Sequence, residues 1–352
     1  MSGSSSFGKV FTMTTFGESH GEAVGVIIDG VTPGVEITEQ EIQFQMDRRK
    51  PGQSSVTTPR KESDTIRILS GVFEGKTTGA PLAVMLNNTD MRPSAYEKNK
   101  LLFRPGHADF TYVQKYVHRD HRGSGRASGR ETAGRVAAGA VARKILSLRG
   151  VSVTAYTKAV GGIEGQTVDE SFIEKNPVRA ADPAAAAKMV EKIEHLASIG
   201  DSCGGIVECI IRGVKPGIGE PTFDKLDAEL AKAMLSIGAV KGIEFGAGFD
   251  AAEMLGSEHN DQMDKDGFLS NNAGGIIGGI STGQDIVFRI AVKPTSSISK
   301  PQKTVDQSGD EHIIETIGRH DPCICPRVIP VVEAMVCMVL EDLYKRQAAL
   351  HA

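Results

Sequence analysis

The chain has 352 residues of ordinary globular composition, 40% hydrophobic and 24% charged. Its 40 Lys and Arg against 44 Asp and Glu give a formal charge of −4, which excludes a uniformly basic nucleic-acid coat. No apolar run approaches the roughly 20 residues of a membrane helix, and the N-terminus lacks the basic and apolar regions of a signal peptide. We therefore expect a soluble, cytoplasmic protein that does not bind membranes.

The 40 glycines are numerous, and their placement indicates an internal duplication. Gly-Glu-Ser-His-Gly at 17–21 leads into an apolar strand and a Gly-Val-Thr-Pro-Gly turn at 30–34. Gly-Asp-Ser-Cys-Gly at 200–204 leads, with identical spacing, into an apolar strand and a Gly-Val-Lys-Pro-Gly turn at 213–217. Two related units of the same order are predicted.

Each unit continues into a predicted helix. Thr38 and Glu41 are spaced as a capping box before the first, and 223–235 is its counterpart. Strands joined by hairpins and followed by helices indicate an α+β architecture with internal two-fold symmetry rather than a parallel sheet. We expect one domain of two related halves, about 8–150 and 190–345, that share one active site.

Two further helices are predicted. Ser128 and Glu131 are spaced as a capping box before a helix at 130–146, whose many alanines and glycines suit close packing in a middle layer. Asp182 followed by proline opens another helix, within a segment, 168–208, that we expect to be a more exposed insertion.

The five cysteines are odd in number and lack framework spacing, so reduced thiols are predicted. Cys323 and Cys325 would make half of a metal site. No second Cys or His pair stands at a suitable spacing, so no metal is predicted.

The densest cationic stretch runs from Arg104 to Glu131, where arginines alternate with glycines before a predicted helix start. Arginine forks among backbone amides bind carboxylates and phosphates, so a strongly anionic ligand is predicted. Basic residues at 47–54 and the Lys-Pro-Thr-Ser-Ser run at 293–297 are further anion-binding candidates. The alternative is a disordered Arg-Gly loop that binds RNA, which sparse aromatic residues and the capped helix disfavour.

Two histidines are candidates for proton transfer near neutral pH, His20 and His107, because both stand in turns that small neighbours leave open. Asp321, in an Arg-His-Asp-Pro run, fits either a structural ion pair or a base. Structural roles are predicted for His195, His259, His312 and His351.

Taken together, these motifs resemble the chorismate synthase family along the whole chain. The resemblance rests on residues 14–21, 47–54, 103–109, 125–140, 236–244, 274–283, 293–297 and 318–323. It implies a β-α-β sandwich with pseudo-two-fold symmetry, in which two mainly antiparallel sheets enclose central helices, and a homotetrameric assembly.

The resemblance also implies an activity, the 1,4-anti-elimination of phosphate from 5-enolpyruvylshikimate 3-phosphate to give chorismate. Reduced FMN is required without net redox change; in the mechanism proposed for the family it lends electron density, and its N5 then takes the C6 proton. The substrate carries two carboxylates and a phosphate, roughly −4 in charge, which would demand the arginine clusters. Neither nucleic acid nor membrane is expected as a partner.

Residue roles follow from the matching motifs. His20 would protonate the leaving phosphate, His107 would protonate or orient the flavin, and Asp321 would assist N5 as a base. Ser19 and Ser128 would support these proton transfers. The implied contacts of substrate or NADPH are Arg48, Arg49, Arg104 and Arg130, and those of FMN are Arg126, Ala127, Ser128, Gly238, Ala239, Gly278, Lys293, Pro294, Thr295, Ser296, Ser297 and Arg319.

Two positions depart from the family pattern. Ser55 stands where some relatives have arginine, which weakens the expectation of NADPH binding, and Asn272 stands where relatives have histidine. Intrinsic flavin reduction by NADPH therefore stays open. The rival hypotheses are an RNA-binding protein and an ordinary flavin oxidoreductase with net NADPH oxidation.

Overall fold

The computed structural model describes residues 5–54, 56–58, 60, 62–90, 96–97, 99–316 and 320–350. In this part of the chain, no helix is long and apolar enough to span a membrane. The seven α-helices found there are α1 Glu39–Arg49, α2 Asp109–Tyr116, α3 Thr132–Ser147, α4 Pro183–Ser198, α5 Leu226–Leu235, α6 Gly256–His259 and α7 Cys325–Leu350.

Two five-stranded antiparallel sheets form the outer layers. The first has the order β1-β2-β3-β7-β4, with β1 Ser6–Phe7, β2 Thr12–Gly17, β3 Ala23–Asp29, β4 Arg67–Ser70 and β7 Leu82–Asn87. The second has the order β11-β16-β10-β8-β9, with β8 Ser152–Val160, β9 Ile163–Glu164, β10 Gly205–Arg212, β11 Val240–Phe245 and β16 Ile286–Val292. Four short hairpins complete the description: β5 Val72–Phe73 with β6 Lys76–Thr77, β12 Met263–Asp264 with β13 Gly267–Phe268, β14 Ile276–Ile277 with β15 Ile280–Ser281, and β17 Gln302–Val305 with β18 Glu311–Ile314.

The duplication is visible in the topology. The order β2-β3-β7-β4 in one sheet matches β8-β10-β16-β11 in the other, and α1, α3, α5 and α7 occupy equivalent places along the chain. The predicted strands after 17–21 and 200–204 are β3 and β10. The α+β sandwich with pseudo-two-fold symmetry is thus confirmed. The second sheet also contains β8, which lies between the two predicted halves, about 8–150 and 190–345.

Helices α3 and α7 pack against each other between the sheets, α3 on β2 and β3 and α7 on β8 and β10. Small residues allow this contact: a Cβ on Gly139 of α3 would lie 2.3 Å from the Ala334 Cβ of α7. The middle-layer helix predicted at 130–146 is therefore α3, and it positions the residues that precede it against the core.

Two of the three helix caps predicted at Thr38, Ser128 and Asp182 are present in the structure. Thr38 and Glu41 form the predicted capping box of α1. Asp182 caps α4, whose apolar face, with Met189 and Ile193 fully buried, packs on the second sheet, so this insertion is not wholly exposed.

The capping box predicted at 128–131 is wrong. Ser128 Oγ accepts a hydrogen bond from the Arg130 amide at 3.2 Å, but this closes a short 3-10 turn. Glu131 instead accepts hydrogen bonds from the Thr15 hydroxyl and the Arg135 guanidinium, each at 2.8 Å. A tertiary contact and an ion pair outcompete the local cap, and α3 begins at Thr132.

Candidate active site

One cavity of about 620 Å³ gathers most of the predicted site residues. It lies among the cationic loops of the first unit, the 293–297 segment of the second and the first turns of α7. The predicted residues that line it are Ser19, His20, Arg49, Arg104, His107, Arg126, Ala127, Ser128, Arg130, Gly238, Ala239, Lys293, Pro294, Thr295, Ser296, Ser297 and Asp321.

His20 lies in the turn after β2 and is held by its neighbour. The Ser19 hydroxyl is 3.0 Å from His20 Nδ1, and both residues are buried. The imidazole also meets the Tyr96 ring edge to face, with centroids 5.1 Å apart. Burial lowers the pKa of His20, and the positive charge of Arg60 lowers it further. The imidazole is therefore neutral near pH 7 until an anion offsets the surrounding charge.

Gly123 allows the cationic loop to pass directly over His20. Its φ is +92°, and a Cβ there would lie 2.5 Å from His20 Nδ1 and 2.9 Å from Ser19 Oγ. Only glycine satisfies both the backbone conformation and the contact.

His107 lies in the turn before α2, and both of its ring nitrogens are engaged. Nδ1 is 3.0 Å from the Pro105 carbonyl and Nε2 is 2.7 Å from Ser297 Oγ. Because a carbonyl only accepts, Nδ1 carries the proton, and Nε2 of the neutral ring accepts from the serine hydroxyl. Burial lowers the pKa of His107, and the charge of Arg104 adds to that effect.

A buried ion-pair triad forms one part of the lining. Asp64 bonds to both Arg49 and Arg130, and all three side chains are nearly inaccessible. Burial alone would raise the pKa of Asp64, but the two guanidinium groups outweigh it and lower the pKa to about 2. The carboxylate stays ionised and fixes both arginines.

Two more triads also combine one carboxylate with two arginines. Asp109 accepts from Arg104 at 2.8 and 2.9 Å and from Arg119 at 2.9 Å. Glu131 accepts from Arg135 at 2.8 Å and lies 3.9 Å from the guanidinium of Arg126. The arginines of the loop therefore bond to internal carboxylates, which does not favour RNA binding by a disordered loop.

Lys293 adds a cation without a carboxylate partner among the described residues. Its ammonium contacts the Ser296 hydroxyl and lies 3.3 Å from the Gly106 carbonyl. Together with one uncompensated charge from each triad, it gives this region an excess of about four positive charges. Such a cavity attracts a small polyanion.

Asp321 lines the cavity as an ion-paired carboxylate. One oxygen accepts from the Thr58 amide at 2.8 Å, and the other pairs with Arg327 of α7. The sequence left an ion pair and a base equally open. The structure provides the ion pair, with a cation that the sequence had not indicated.

Two predicted residues, Arg48 and Gly278, do not line this cavity. Arg48 pairs with Glu174 and Glu333 outside the cavity lining. Gly278 lies in the β14–β15 turn, near the start of α5, and does not line the cavity. Arg319 and Ser55 lie outside the described residues.

Asn272 also lies away from the cavity lining. Its side-chain amide donates to the carbonyls of Glu258 and His259, at 3.0 and 3.1 Å.

Several lining residues escaped the sequence analysis as site candidates, among them Arg60 and His320. Arg60 pairs with Glu62, and its positive charge lowers the pKa of His20. Its signal was the alternation of Arg60, Glu62 and Asp64, which places three charges on one side of an extended chain. His320 lines the cavity beside Asp321, and only its position within the Arg-His-Asp-Pro run could have indicated it.

Three further observations concern a second cavity, the cysteines and metal binding. A second cavity of about 660 Å³ shares Arg126, Glu131 and Arg135 with the first but contains none of the predicted catalytic residues in its lining. The five cysteines are buried and free. Within the described residues, no cluster of three or more His, Cys, Asp or Glu side chains could hold a metal ion.

A duplicated sandwich that gathers two neutral imidazoles and several arginines around one cavity defines an enzyme that acts on a small polyanion. The family model described as chorismate synthase matches residues 11–344. A chorismate synthase of Desulfatibacillum aliphaticivorans is 53% identical over 352 residues, 100% of this chain and 98% of the relative.

Two further comparisons agree. A chorismate synthase of Syntrophobacter fumaroxidans is 55% identical over 338 residues, 96% of each chain. A crystal structure of a chorismate synthase is similar with a TM-score of 0.76 and 30% identity, covering 97% of this chain and 93% of that chain. The chain belongs to the chorismate synthase family, a family of lyases that form chorismate in the shikimate pathway.

Proposed function

We propose that the protein catalyses the 1,4-anti-elimination of phosphate from 5-enolpyruvylshikimate 3-phosphate to give chorismate, with reduced FMN in the same cavity and no net redox change. The observation that carries this proposal is that His20 and His107 line one cavity with an excess of arginine and lysine charge.

The charge of the cavity suits this substrate. Two carboxylates and a phosphate carry roughly −4 near neutral pH, which balances the excess from the three triads and Lys293. Arg49 and Arg60 each have a buried Nε without a hydrogen-bond partner in the described residues. Buried guanidinium groups with a donor to spare favour an oxyanion ligand nearby.

FMN fits the other part of the lining. The 293–297 segment offers an ammonium and several hydroxyls, including Thr295 Oγ1, which is buried without a partner among the described residues. These groups, with Arg126, would hold the FMN phosphate and polar edge. The apolar side chains of Ile324, Val328 and Val331 would face its ring system. When bound, reduced FMN supplies electron density for cleavage of the C–O bond.

His20 is the residue that we assign to protonate the departing phosphate. Its pKa is lowered by burial and by arginine charge. A bound phosphate dianion offsets that charge, so substrate binding raises the pKa and loads the imidazole with a proton. Ser19 holds the ring at Nδ1, which leaves Nε2 for the transfer.

His107 and Asp321 complete the proton chemistry. The Ser297 hydroxyl and the Pro105 carbonyl fix the His107 ring in one orientation, in which it would position the flavin. Asp321 pairs with Arg327 and would accept a proton on the flavin side. Ser128 lines the cavity beside these groups and would support the transfer.

An anaerobic assay tests the proposal. Purified protein with dithionite-reduced FMN should convert the substrate to chorismate and phosphate, whereas oxidised FMN should give no turnover. Continuous NADPH oxidation without chorismate would favour an ordinary flavin oxidoreductase instead.

Two finer expectations accompany this function. A homotetramer is supported by exposed apolar side chains of the kind that subunit contacts cover, Phe249, Leu255, Met263 and Leu269; sedimentation analysis tests it. Arg48, one of the implied contacts of substrate or NADPH, is bonded to two glutamates, which does not favour NADPH as reductant. Running the anaerobic assay with NADPH and oxidised FMN decides the point.

A further inference from the structure

A small cavity of about 40 Å³ adjoins the active-site cavity. Tyr96, Arg104 and His320 line both cavities. The small cavity continues past Arg119 and Thr316 to His121, whose side chain is 31% exposed. It therefore lies between the active site and the protein surface.

Two buried polar atoms at this cavity have no hydrogen-bond partner in the described part of the chain, Arg119 Nε and Thr316 Oγ1. The side chain of Arg119 is 7% exposed, and Thr316 is 7% exposed as a whole residue. The other nitrogens of Arg119 bond to Asp109 and to two backbone carbonyls, so its orientation is fixed with Nε to spare. Buried polar atoms in folded proteins are normally satisfied by protein or by ordered water.

The dimensions suit water. A buried water molecule needs about 10–15 Å³ of such space and two to four polar partners. The cavity of about 40 Å³ has room for it, and polar side chains surround it on every element that contributes to the lining.

An imidazole lies at each end of the small cavity. On the inner side, the pKa of His320 is lowered to about 4, first by burial and then by the neighbouring His107 and Arg104, although Asp321 opposes them. A neutral imidazole has one donor and one acceptor nitrogen, so it can pass a proton by changing tautomer. On the outer side, His121 Nε2 is 3.0 Å from the exposed carboxylate of Glu97.

We propose that ordered water in this small cavity joins His320 to the His121–Glu97 pair, and that this path carries protons between the active site and solvent. The inference rests on the proposed function, in which C6 loses a proton on the flavin side while His20 gives one to the departing phosphate. In each turnover one proton must leave the flavin side and one must return to His20. The path moves protons only, and no electrons are exchanged.

Thr316 and His121 do not line the substrate cavity, so Thr316→Val and His121→Gln interrupt the path alone. His195→Gln, at an exposed position of α4, is the control. Each interrupted variant should lower kcat roughly 10-fold to 10²-fold, up to the scale of a positioned proton donor. KM and melting temperature should stay unchanged, and the solvent isotope effect on kcat should rise because proton transfer becomes rate-limiting. Wild-type kcat and isotope effect in both variants would overturn the proposal.

A high-resolution crystal structure gives a readout that does not depend on activity. Water within hydrogen-bond distance of Thr316 Oγ1 and Arg119 Nε supports the path, and an empty cavity overturns it even in an active enzyme. Failure of the proposed function has a different signature, because wild type and all variants would then form no chorismate. That result would remove the function and the path together.

Discussion

His107 of the first unit and Ser297 of the second are joined by a hydrogen bond of 2.7 Å between Nε2 and the hydroxyl. The cavity that contains them also contains His20, whose Nδ1 lies 3.0 Å from the Ser19 hydroxyl. The candidate site is therefore built at the junction of the two units, and neither unit alone supplies it.

The two imidazoles are predicted to be essential. His20→Ala and His107→Ala should each reduce chorismate formation by on the order of 10²-fold or more, the scale of a positioned proton donor. Steady-state rates with reduced FMN measure this. His195→Ala, on the exposed face of α4, should leave the rate unchanged, and wild-type rates in both cavity variants would refute the assignments.

Gly123→Ala should impair turnover through His20. The new Cβ would lie 2.5 Å from Nδ1 and force the imidazole to move. A shift of about 1 Å in a catalytic group can cost 10²-fold in rate.

Gly162→Ala is the matched control for this substitution. Gly162 has a similar φ of +88°, but a Cβ there meets open space. Both variants should lose similar stability on denaturant titration, and only Gly123→Ala should lose activity. Equal activities would mean that the loop does not fix His20.

Asp64→Asn should destabilise the fold strongly. It removes the carboxylate that holds Arg49 and Arg130, and breaking a buried pair from one side costs about 3–5 kcal/mol. Glu164→Gln removes an exposed carboxylate from the Lys158–Glu164 pair and should change the unfolding free energy by less than about 1 kcal/mol. Denaturant titration of both variants checks the difference, and similar values would show that the triad is not stabilising.

His320 should make stability depend on pH. Its pKa falls from 6.5 in the unfolded chain to about 4 in the fold, first because of burial. Between these values the unfolded state binds more protons, so the unfolding free energy rises with pH. The contribution is complete above 6.5 and is lost as the pH falls through the window toward 4.

His320→Gln should flatten this dependence. Unfolding free energies measured across that pH window should rise less steeply in the variant than in the wild type. His195→Gln, which alters an exposed ring, should keep the wild-type slope. Identical slopes in all three proteins would contradict the buried, neutral state of His320.

Glycine spacing was enough to predict the two-fold architecture, because the turns at 17–21 and 200–204 precede equivalent central strands. It did not predict β8 as a strand of the second sheet, because β8 has no glycine pattern that matches β2. The capping box predicted at Ser128 was wrong for a related reason. Glu131 accepts hydrogen bonds from Thr15 and Arg135 instead, and local spacing does not indicate such contacts.

The site was predictable where residue types cluster along the chain, as at His107 and 293–297. Arg60 and Asp64 lie in a run of alternating charges that is typical of a solvent-exposed strand. Only the fold buries Asp64 between two arginines and brings Arg60 beside His20. Arg327 stands only six residues after Asp321, but their pairing follows from the start of α7 between them, which the local spacing does not show.

The most direct measurement is a crystal structure of the protein with FMN and 5-enolpyruvylshikimate 3-phosphate bound together. We predict that both occupy the cavity of about 620 Å³, with the substrate phosphate within hydrogen-bond reach of His20 and the flavin beside His107. A substrate or flavin bound outside this cavity, or a phosphate that His20 does not reach, would contradict the account.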